Sequence, residues 1–231
     1  MFEEGLSYPF KGDNALGRNL IGGLLVAFSW LIIPGLAYYG YLVRVLRDTV
    51  SGGQEPPEFD GWGDMIVDGL KMVVIAFVYG IVPFAVAFGI MLFGGLLGGA
   101  AGGDTGGGIV AGFGVVSLLI FFLASLVLLY VLPAALSNFA VKQEFGAAFD
   151  FDTIGTVLTS SEYLVAWLLP IVVYLIVYVI NLFLAITVVG LILVPWVSFY
   201  ASVVIFQMFG QAYQKALGQD GSAEPAAEPA I

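Results

Sequence analysis

Long apolar runs, separated by short polar stretches, dominate this sequence. A transmembrane helix needs about 20 largely apolar residues, because each residue adds only about 1.5 Å along the helix axis. Five runs of that length contain no Asp, Glu, Lys or Arg: Leu20–Val43, Met72–Phe93, Ile109–Leu132, Tyr163–Ala185 and Val188–Phe209. The sequence therefore predicts an all-α fold, a polytopic transmembrane helical bundle of about five spans.

The composition supports one membrane domain. Hydrophobic residues make up 60% of the chain and charged residues 10%, with a mean hydropathy of +1.02. Soluble domains have roughly 45–50% apolar and about 25% charged residues. We expect residues 1–215 to form a single integral membrane domain. The small, acidic, proline-containing tail at 216–231 is predicted to be disordered.

The acidic stretch PPEFDGWGDMIVDGLKMVV, at 56–74, precedes the second apolar run. Its apolar positions recur at helical spacing and its charged positions lie opposite, which predicts an amphipathic interfacial helix over 59–70. Trp62 suits the headgroup level, and Asp60 can cap the helix. The residues of this interfacial motif are Phe59, Asp60, Trp62, Gly63, Asp64, Asp68 and Lys71.

A second copy of the motif precedes the fourth run, where FDTIG at 151–155 matches FDGWG at 59–63. The matching residues are Phe151, Asp152, Ile154 and Gly155. They predict a second interfacial helix over about 151–162. The aspartates at 60, 64 and 68 are not all repeated in this copy, whereas the apolar pattern is. The acids of the first copy are therefore interpreted as structural.

The glycine-rich segment at 94–108, GGLLGGAAGGDTGGG, allows two structures. As a helix it would offer faces of small residues for close backbone packing. Otherwise it is a flexible extracytoplasmic link. We favour the link.

Few residues interrupt the apolar runs. Four prolines predict kinks whose freed carbonyl groups need partners, and Asn181 and Gln207 are the main amides available for a hydrogen bond between helices. A cavity at these positions would instead favour a transporter. The intramembrane candidates are Pro34, Pro83, Pro170, Asn181 and Pro195.

The basic residues predict the orientation, since Lys and Arg near span ends prefer the cytoplasm. With five spans, Lys11 and Arg18 lie on one side and the other five basic residues on the opposite side. This places the carboxyl terminus in the cytoplasm of a multi-pass cell-membrane protein. Glycines and a proline interrupt residues 20–47, which could instead form two half-helices and bring the amino terminus inside.

The chain carries 17 acidic and 7 basic residues, giving a net charge of −10. This balance makes nucleic acid an unlikely partner. High salt screens such a surface, so the composition favours a halophilic archaeon as the source.

The sequence offers little for catalysis. It contains no Cys and no His, and its apolar runs contain no ionisable side chain except tyrosine. The acids at 55–68 lack the spacing of a calcium loop. We therefore predict no catalytic, cofactor-binding or metal site, and a protein that is not an enzyme.

Three stretches carry a family resemblance: YPFKGDNALGRNLIGG, IIPGLAYYGYLVRVLR and PPEFDGWGDMIVDGLK. They resemble the haloarchaeal multi-pass membrane family known only as domain of unknown function four-zero-one-three. The resemblance implies a membrane location and a haloarchaeal source. It also implies a further interfacial helix at YPFKGD, which favours a cytoplasmic amino terminus. It implies no activity, cofactor or catalytic residue.

Two functions are consistent with these features. The first is a non-enzymatic structural, scaffolding or lipid-organising role. The alternative is a channel or facilitator for a small uncharged solute or lipid. Expected partners are membrane lipids, with a homo-oligomer or another membrane protein as further candidates.

Overall fold

The computed structural model describes residues 2–218, and every regular element in that range is helical. The all-α fold predicted from the sequence is confirmed. The described residues form two compact units: those up to Val73 together with those from Pro133 onward, and Val74–Leu132. The helices are α1 (Phe2–Ser7), α2 (Ala15–Ala27), α3 (Ile32–Val50), α4 (Trp62–Ala101), α5 (Gly103–Lys142), α6 (Phe151–Leu158), α7 (Ser161–Leu184) and α8 (Val188–Ala216).

Helix α8 lies at the centre of the first unit, where it packs against α7, α2 and α3. The main core cluster joins α3 to α8 and to the segment that precedes α2. Its fully buried aromatic residues are Tyr8, Tyr41 and Phe199. A second cluster, around Val204 and Met208, joins α8 to α7. The core therefore depends on one helix that contacts most of its neighbours.

Four of the five predicted spans match helices long and apolar enough to cross a membrane, namely α4, α5, α7 and α8. The predicted first span, Leu20–Val43, is wrong as a single helix. It is divided into α2 and α3 by the turn at residues 28–31. Pro34 lies in the first turn of α3, where it has no interior helical hydrogen bond to break. The alternative of two half-helices is the one observed.

This division changes where the amino-terminal segment lies. The Tyr8 hydroxyl donates to the Glu55 carbonyl at 3.1 Å, and Arg18 forms an ion pair with Glu58 at 2.6 Å. Both contacts place the segment beside the carboxyl end of α3. The predicted separation of Lys11 and Arg18 from the other basic residues is therefore wrong, because α2 and α3 turn back instead of forming one span.

The predicted interfacial helix over 59–70 is not a separate element. The helix begins at Trp62 and continues as α4, because no helix-breaking residue stands between the acidic stretch and the apolar run. Its first turns pack closely on α3. A Cβ on Gly40 would clash with the Met65 carbonyl, and a Cβ on Gly69 would clash with the Leu36 carbonyl. Two helix backbones therefore meet where only glycine fits.

The second predicted interfacial helix, about 151–162, is shorter than expected. Helix α6 ends at Leu158, and α7 begins at Ser161 after a break. The Ser160 side chain causes the new start, because its hydroxyl accepts a hydrogen bond from the Tyr163 N–H at 3.1 Å. The two copies of the motif therefore lead into their apolar helices differently.

The second unit is an antiparallel hairpin of α4 and α5. The predicted flexible link at 94–108 is helical except at Gly102, so that interpretation is wrong. Gly102 and Gly103 take positive φ angles of 65° and 53° and reverse the chain. A Cβ on Gly98 would lie 2.6 Å from the Gly106 carbonyl oxygen. Small residues let the two backbones approach, as in the alternative considered above.

The other three prolines predicted to lie within the membrane are inside long helices. Helix α8, the last described helix, ends at Ala216. Pro83 is within α4, Pro170 within α7 and Pro195 within α8. The predicted disordered tail begins at that last helical residue, and its residues 219–231 lie outside the described part of the chain.

The close packing of α3 on α4 gives a first prediction. Gly40→Ala should lower the free energy of unfolding by about 1–3 kcal/mol, because the added methyl group overlaps a backbone carbonyl. Gly63→Ala is the matched control, since a Cβ there meets nothing within 4 Å. It should change stability by less than about 1 kcal/mol, in the favourable direction. Unfolding in mixed detergent micelles measures both, and equal losses would contradict the prediction.

Candidate functional site

All three arginines of the chain contact one short acidic segment. We call this set of ion pairs the arginine clasp. It consists of Arg18 with Glu58, Arg44 with Asp60, and Arg47 with Asp68. The arginines come from α2 and α3, whereas the acids precede or begin α4. The clasp therefore joins three helices through charge.

Arg18 is the most deeply buried member of the arginine clasp. Its side chain is only 4% exposed, and its guanidinium donates to Glu58 at 2.6 Å and to the Lys11 carbonyl. Asn14 donates to the second carboxylate oxygen of Glu58 at 2.9 Å. These bonds offset much of the cost of removing the charge from water.

Arg44 holds the turn that precedes α4. It donates to the carboxylate of Asp60 at 2.9 Å, to the Asp60 carbonyl at 2.7 Å and to the Gly61 carbonyl at 3.0 Å. Asp60, the predicted helix cap, thus binds an arginine of α3. The backbone approach to α4 is fixed by the same side chain.

Phe59 places the turn against the core. Its ring stacks on Tyr41 with centroids 4.1 Å apart, and it also contacts Trp62 and Phe199. The Tyr41 hydroxyl donates to the Pro57 carbonyl at 3.1 Å. Trp62 is 44% exposed, so it closes the outer side of this aromatic cluster.

Arg47 connects α3 to two other helices. It donates to Asp68 at 3.0 Å and, through Nε, to the Ala140 carbonyl at 2.9 Å near the end of α5. Asp68 is only 9% exposed, so it does not lie on a solvent-facing side with Asp64 as the helical spacing predicts. A buried carboxylate is tolerated there because the guanidinium neutralises it.

Around the arginine clasp lies an open charged cleft of about 570 Å³. Three of its lining groups, Asp48, Asp64 and Lys71, form no ion pair with another described residue. Burial raises the pKa of the Asp48 carboxyl, because desolvation disfavours its charged form. The cleft is therefore acidic but largely neutralised by its own arginines.

The acids of the arginine clasp are already in ion pairs. The paired carboxylates are occupied by guanidinium groups, and in the described part of the chain no three acidic residues lie close enough to hold a metal ion. The residues of the first motif are brought together around the clasp, with Gly63 exposed beside them. The ion pairs of the clasp hold α2, α3 and the start of α4 together.

The second copy of the motif uses a different acid. Asp150 caps α6 by accepting from the Thr153 N–H at 3.3 Å, and it pairs with Lys142 at 2.7 Å. The Lys142 ammonium and the Thr153 hydroxyl hold the pKa of Asp150 well below its usual range. Asp152 and Phe151 are exposed, Gly155 is half-buried and Ile154 is buried. The sequence comparison missed Asp150 because it lies before the matched letters.

Asn181 forms the expected bond between neighbouring helices. Its amide nitrogen donates to the Ser198 hydroxyl at 3.2 Å, which joins α7 to α8. Its amide oxygen is buried and has no hydrogen-bond partner. Asn181 is therefore a packing contact that keeps one unused acceptor.

The arginines were not selected from the sequence as site residues. Composition gave one signal. The chain has only three arginines and 17 acidic residues, so each arginine has many possible carboxylate partners. All three bind residues 58–68 because α2 and α3 turn back instead of forming one span. Sequence spacing alone does not encode that return.

The family described as Protein of unknown function (DUF4013) matches residues 23–186. The match includes α3, the acidic segment and the hairpin of α4 and α5. No curated protein matches the chain, and no solved structure matches it.

The buried member of the clasp on α4 gives a second prediction. Asp68→Asn should lower the free energy of unfolding by about 1–3 kcal/mol, because Arg47 loses its charged partner. Asp64→Asn, four residues earlier on the same helix, should change it by less than about 0.5 kcal/mol. Thermal unfolding in one detergent compares the two, and equal stability of both variants would refute a structural role for the clasp.

Proposed function

The chain belongs to the family described as Protein of unknown function (DUF4013), and we propose that it is a non-enzymatic membrane protein with a structural, scaffolding or lipid-organising role. The observation that carries this proposal is the exposed apolar surface of the α4–α5 hairpin. Only 17% of the most apolar stretch of α4 and 6% of that of α5 is buried. Such a surface needs lipid or another membrane protein to cover it.

The organisation of the polar groups also supports this proposal. The three arginines are used to fix helices, and three of the nearby acids, Glu58, Asp60 and Asp68, are paired with them. Several glycines of the hairpin face open space, with nothing within 4 Å of a Cβ on Gly95, Gly99 or Gly107. Lipid chains or a second helix can approach such faces closely.

We further propose that the clasp end of the first unit faces the cytoplasm. The amino-terminal contacts bring Lys11 and Arg18 to the end that holds Arg44 and Arg47, so the seven basic residues gather on one side. The positive-inside rule assigns that side to the cytoplasm. Trp30 and Ile32, at the turn between α2 and α3, are 77% and 80% exposed, as expected for a hairpin that dips into lipid.

The acidic, lysine-poor composition supports a salt-rich cytoplasm as the setting of this end. A halophilic source therefore stays part of the proposal. The carboxyl terminus, which follows α8, would lie on the same side as the clasp.

Orientation gives a third prediction, and the absence of cysteine makes the test clean. In intact cells, a membrane-impermeant maleimide should label Ile186→Cys, in the turn between α7 and α8. It should label Ser51→Cys, at the end of α3, only after permeabilisation. The wild-type chain is the blank. Labelling of Ser51→Cys in intact cells would reverse the proposed orientation.

One observation favours a second function, a facilitator for a small uncharged solute. The buried, unpartnered oxygen of Asn181 could bind such a solute between α7 and α8. The charged cleft does not include this residue. A facilitator is therefore the second proposed function, and measured solute flux would favour it over the scaffold.

A flux measurement separates the two roles and is the fourth prediction. Proteoliposomes should swell in glycerol or urea no faster than protein-free vesicles, whereas spin-labelled lipids should show a motionally restricted fraction. Asn181→Leu should not change either result. Ser198→Ala is its matched control, because it removes the hydrogen bond and leaves the amide. Solute flux that Asn181→Leu abolishes and Ser198→Ala preserves would establish the facilitator instead.

A further inference from the structure

A second polar pocket lies in the first unit, between α8, the carboxyl end of α3 and the amino-terminal segment. Its volume is about 300 Å³. Three glutamines at positions i, i+4 and i+7 share one face of α8 and line it. The polar residues that line it include Tyr8, Lys11, Thr49, Gln207, Gln211 and Gln214. We call this the glutamine pocket.

The glutamine pocket contains unused hydrogen-bonding capacity. The amide oxygens of Gln207 and Gln211 are buried and have no hydrogen-bond partner. Gln207 is only 3% exposed, so bulk water does not easily reach its side chain. An unpartnered buried acceptor destabilises the fold, because it has lost its bonds to water without gaining others. Both glutamines line the pocket, and a ligand that donates hydrogen bonds can satisfy these oxygens when the amides rotate toward it.

Tyr8 stiffens one wall of the pocket. Burial raises the pKa of its phenol, which therefore stays protonated and donates to the Glu55 carbonyl at 3.1 Å. The Thr49 hydroxyl lies beside it and is also buried. The wall is thus neutral and rich in hydroxyl and amide groups.

The lining excludes other classes of ligand. No carboxylate lines the pocket, so a divalent cation would lack its preferred ligands. Lys11 would repel a monovalent cation. An apolar ligand would leave the glutamine amides without partners. What remains is a ligand with hydroxyl donors for the amide oxygens and an anionic group for the lysine.

We propose that the glutamine pocket binds the phosphorylated polyol headgroup of an anionic membrane lipid. Hydroxyl groups of the polyol donate to Gln207 and Gln211, while the phosphate accepts from the Lys11 ammonium and from amide N–H groups. The chain's net charge of −10 does not prevent this, because the pocket itself is lined by one cation and no acid, and Asp48, which acts on Tyr8, lies outside the lining.

The depth of the pocket selects a lipid as the source. Gln211 and Gln214 follow directly after the predicted apolar run that ends at Phe209, so they lie where a span leaves the hydrocarbon region. Headgroups occupy that level of a bilayer. The binding site goes beyond the proposed scaffolding role and does not require it. A headgroup can occupy the pocket regardless of what covers the hairpin.

The fifth prediction uses delipidated, full-length protein in detergent and three water-soluble probes. These are dihexanoyl phosphatidylglycerol, dihexanoyl phosphatidylcholine and glycerol 3-phosphate. Calorimetric titration should give a dissociation constant for the phosphatidylglycerol probe that is about ten-fold or more below those of the other two. Equal binding of glycerol 3-phosphate would overturn the lipid source. Failure of both phosphorylated glycerols to bind would overturn the site and leave only water in it.

Variants test which residues hold the headgroup. Gln211→Glu keeps the side-chain size but repels the phosphate, and Lys11→Gln removes the cation. Each should weaken binding of the phosphatidylglycerol probe by about ten-fold or more. Gln207→Met removes the buried amide and should weaken it similarly. If that variant fails to fold, Gln211→Glu still decides, because its half-buried position tolerates charge.

Matched controls separate binding from general effects. Lys215→Gln removes an exposed cation that does not line the pocket, so the affinity should change less than two-fold. A loss in this control equal to that of Lys11→Gln would mean that surface charge, not the pocket, attracts the lipid. Unchanged affinity in both Gln211→Glu and Lys11→Gln would refute the proposal outright.

Discussion

An arginine that is removed from water must find a carboxylate, and the first unit is organised around that constraint. A buried charge without a partner costs several kcal/mol, more than most single contacts can offset. Arg18, the most deeply buried of the three, meets this cost by binding Glu58, and the less buried Arg44 and Arg47 also bind residues 58–68. Because these arginines come from two helices, the acidic segment becomes the point at which α2, α3 and the start of α4 are joined. The aromatic cluster around Phe59 and the return of the amino-terminal segment follow from the same connection.

Close backbone contact is the second principle of the structure. Gly40 and Gly69 bring α3 and α4 together in the first unit, while Gly98 and Gly106 do the same within the hairpin. In lipid the hydrophobic effect gives little attraction between apolar helices, so close approach and polar bonds have to hold them. The first unit uses both devices. The hairpin uses small residues and a buried hydrogen bond from the Ser117 hydroxyl to the Ala87 carbonyl at 2.6 Å, and most of its apolar surface stays exposed.

The sequence was sufficient for the helical membrane fold and for four of the long helices, since about 20 apolar residues have few alternatives. It did not determine the division of residues 20–43, because glycine and proline are tolerated both in spans and at turns. The glycine-rich segment was misassigned for a related reason: the same residues suit a flexible link and a tight helix contact. In the candidate site, Asp60 precedes the helix, so helical spacing does not describe it. That spacing correctly placed Asp64 on the exposed side of α4 but placed Asp68 there too, although Asp68 is buried. The partner that buries it, Arg47, comes from another helix 21 residues earlier in the chain.

The sequence separation within the arginine clasp has a consequence for biosynthesis. Arg18 and its partner Glu58 are 40 residues apart, so the arginine leaves the ribosome before the acid does. At about 5–20 residues per second, translation of the intervening chain takes on the order of several seconds. During that interval α2 and α3 carry guanidinium groups that water or lipid phosphate must solvate. The amino-terminal hairpin can therefore settle only when the start of α4 is made, which couples its insertion to the synthesis of the following helix.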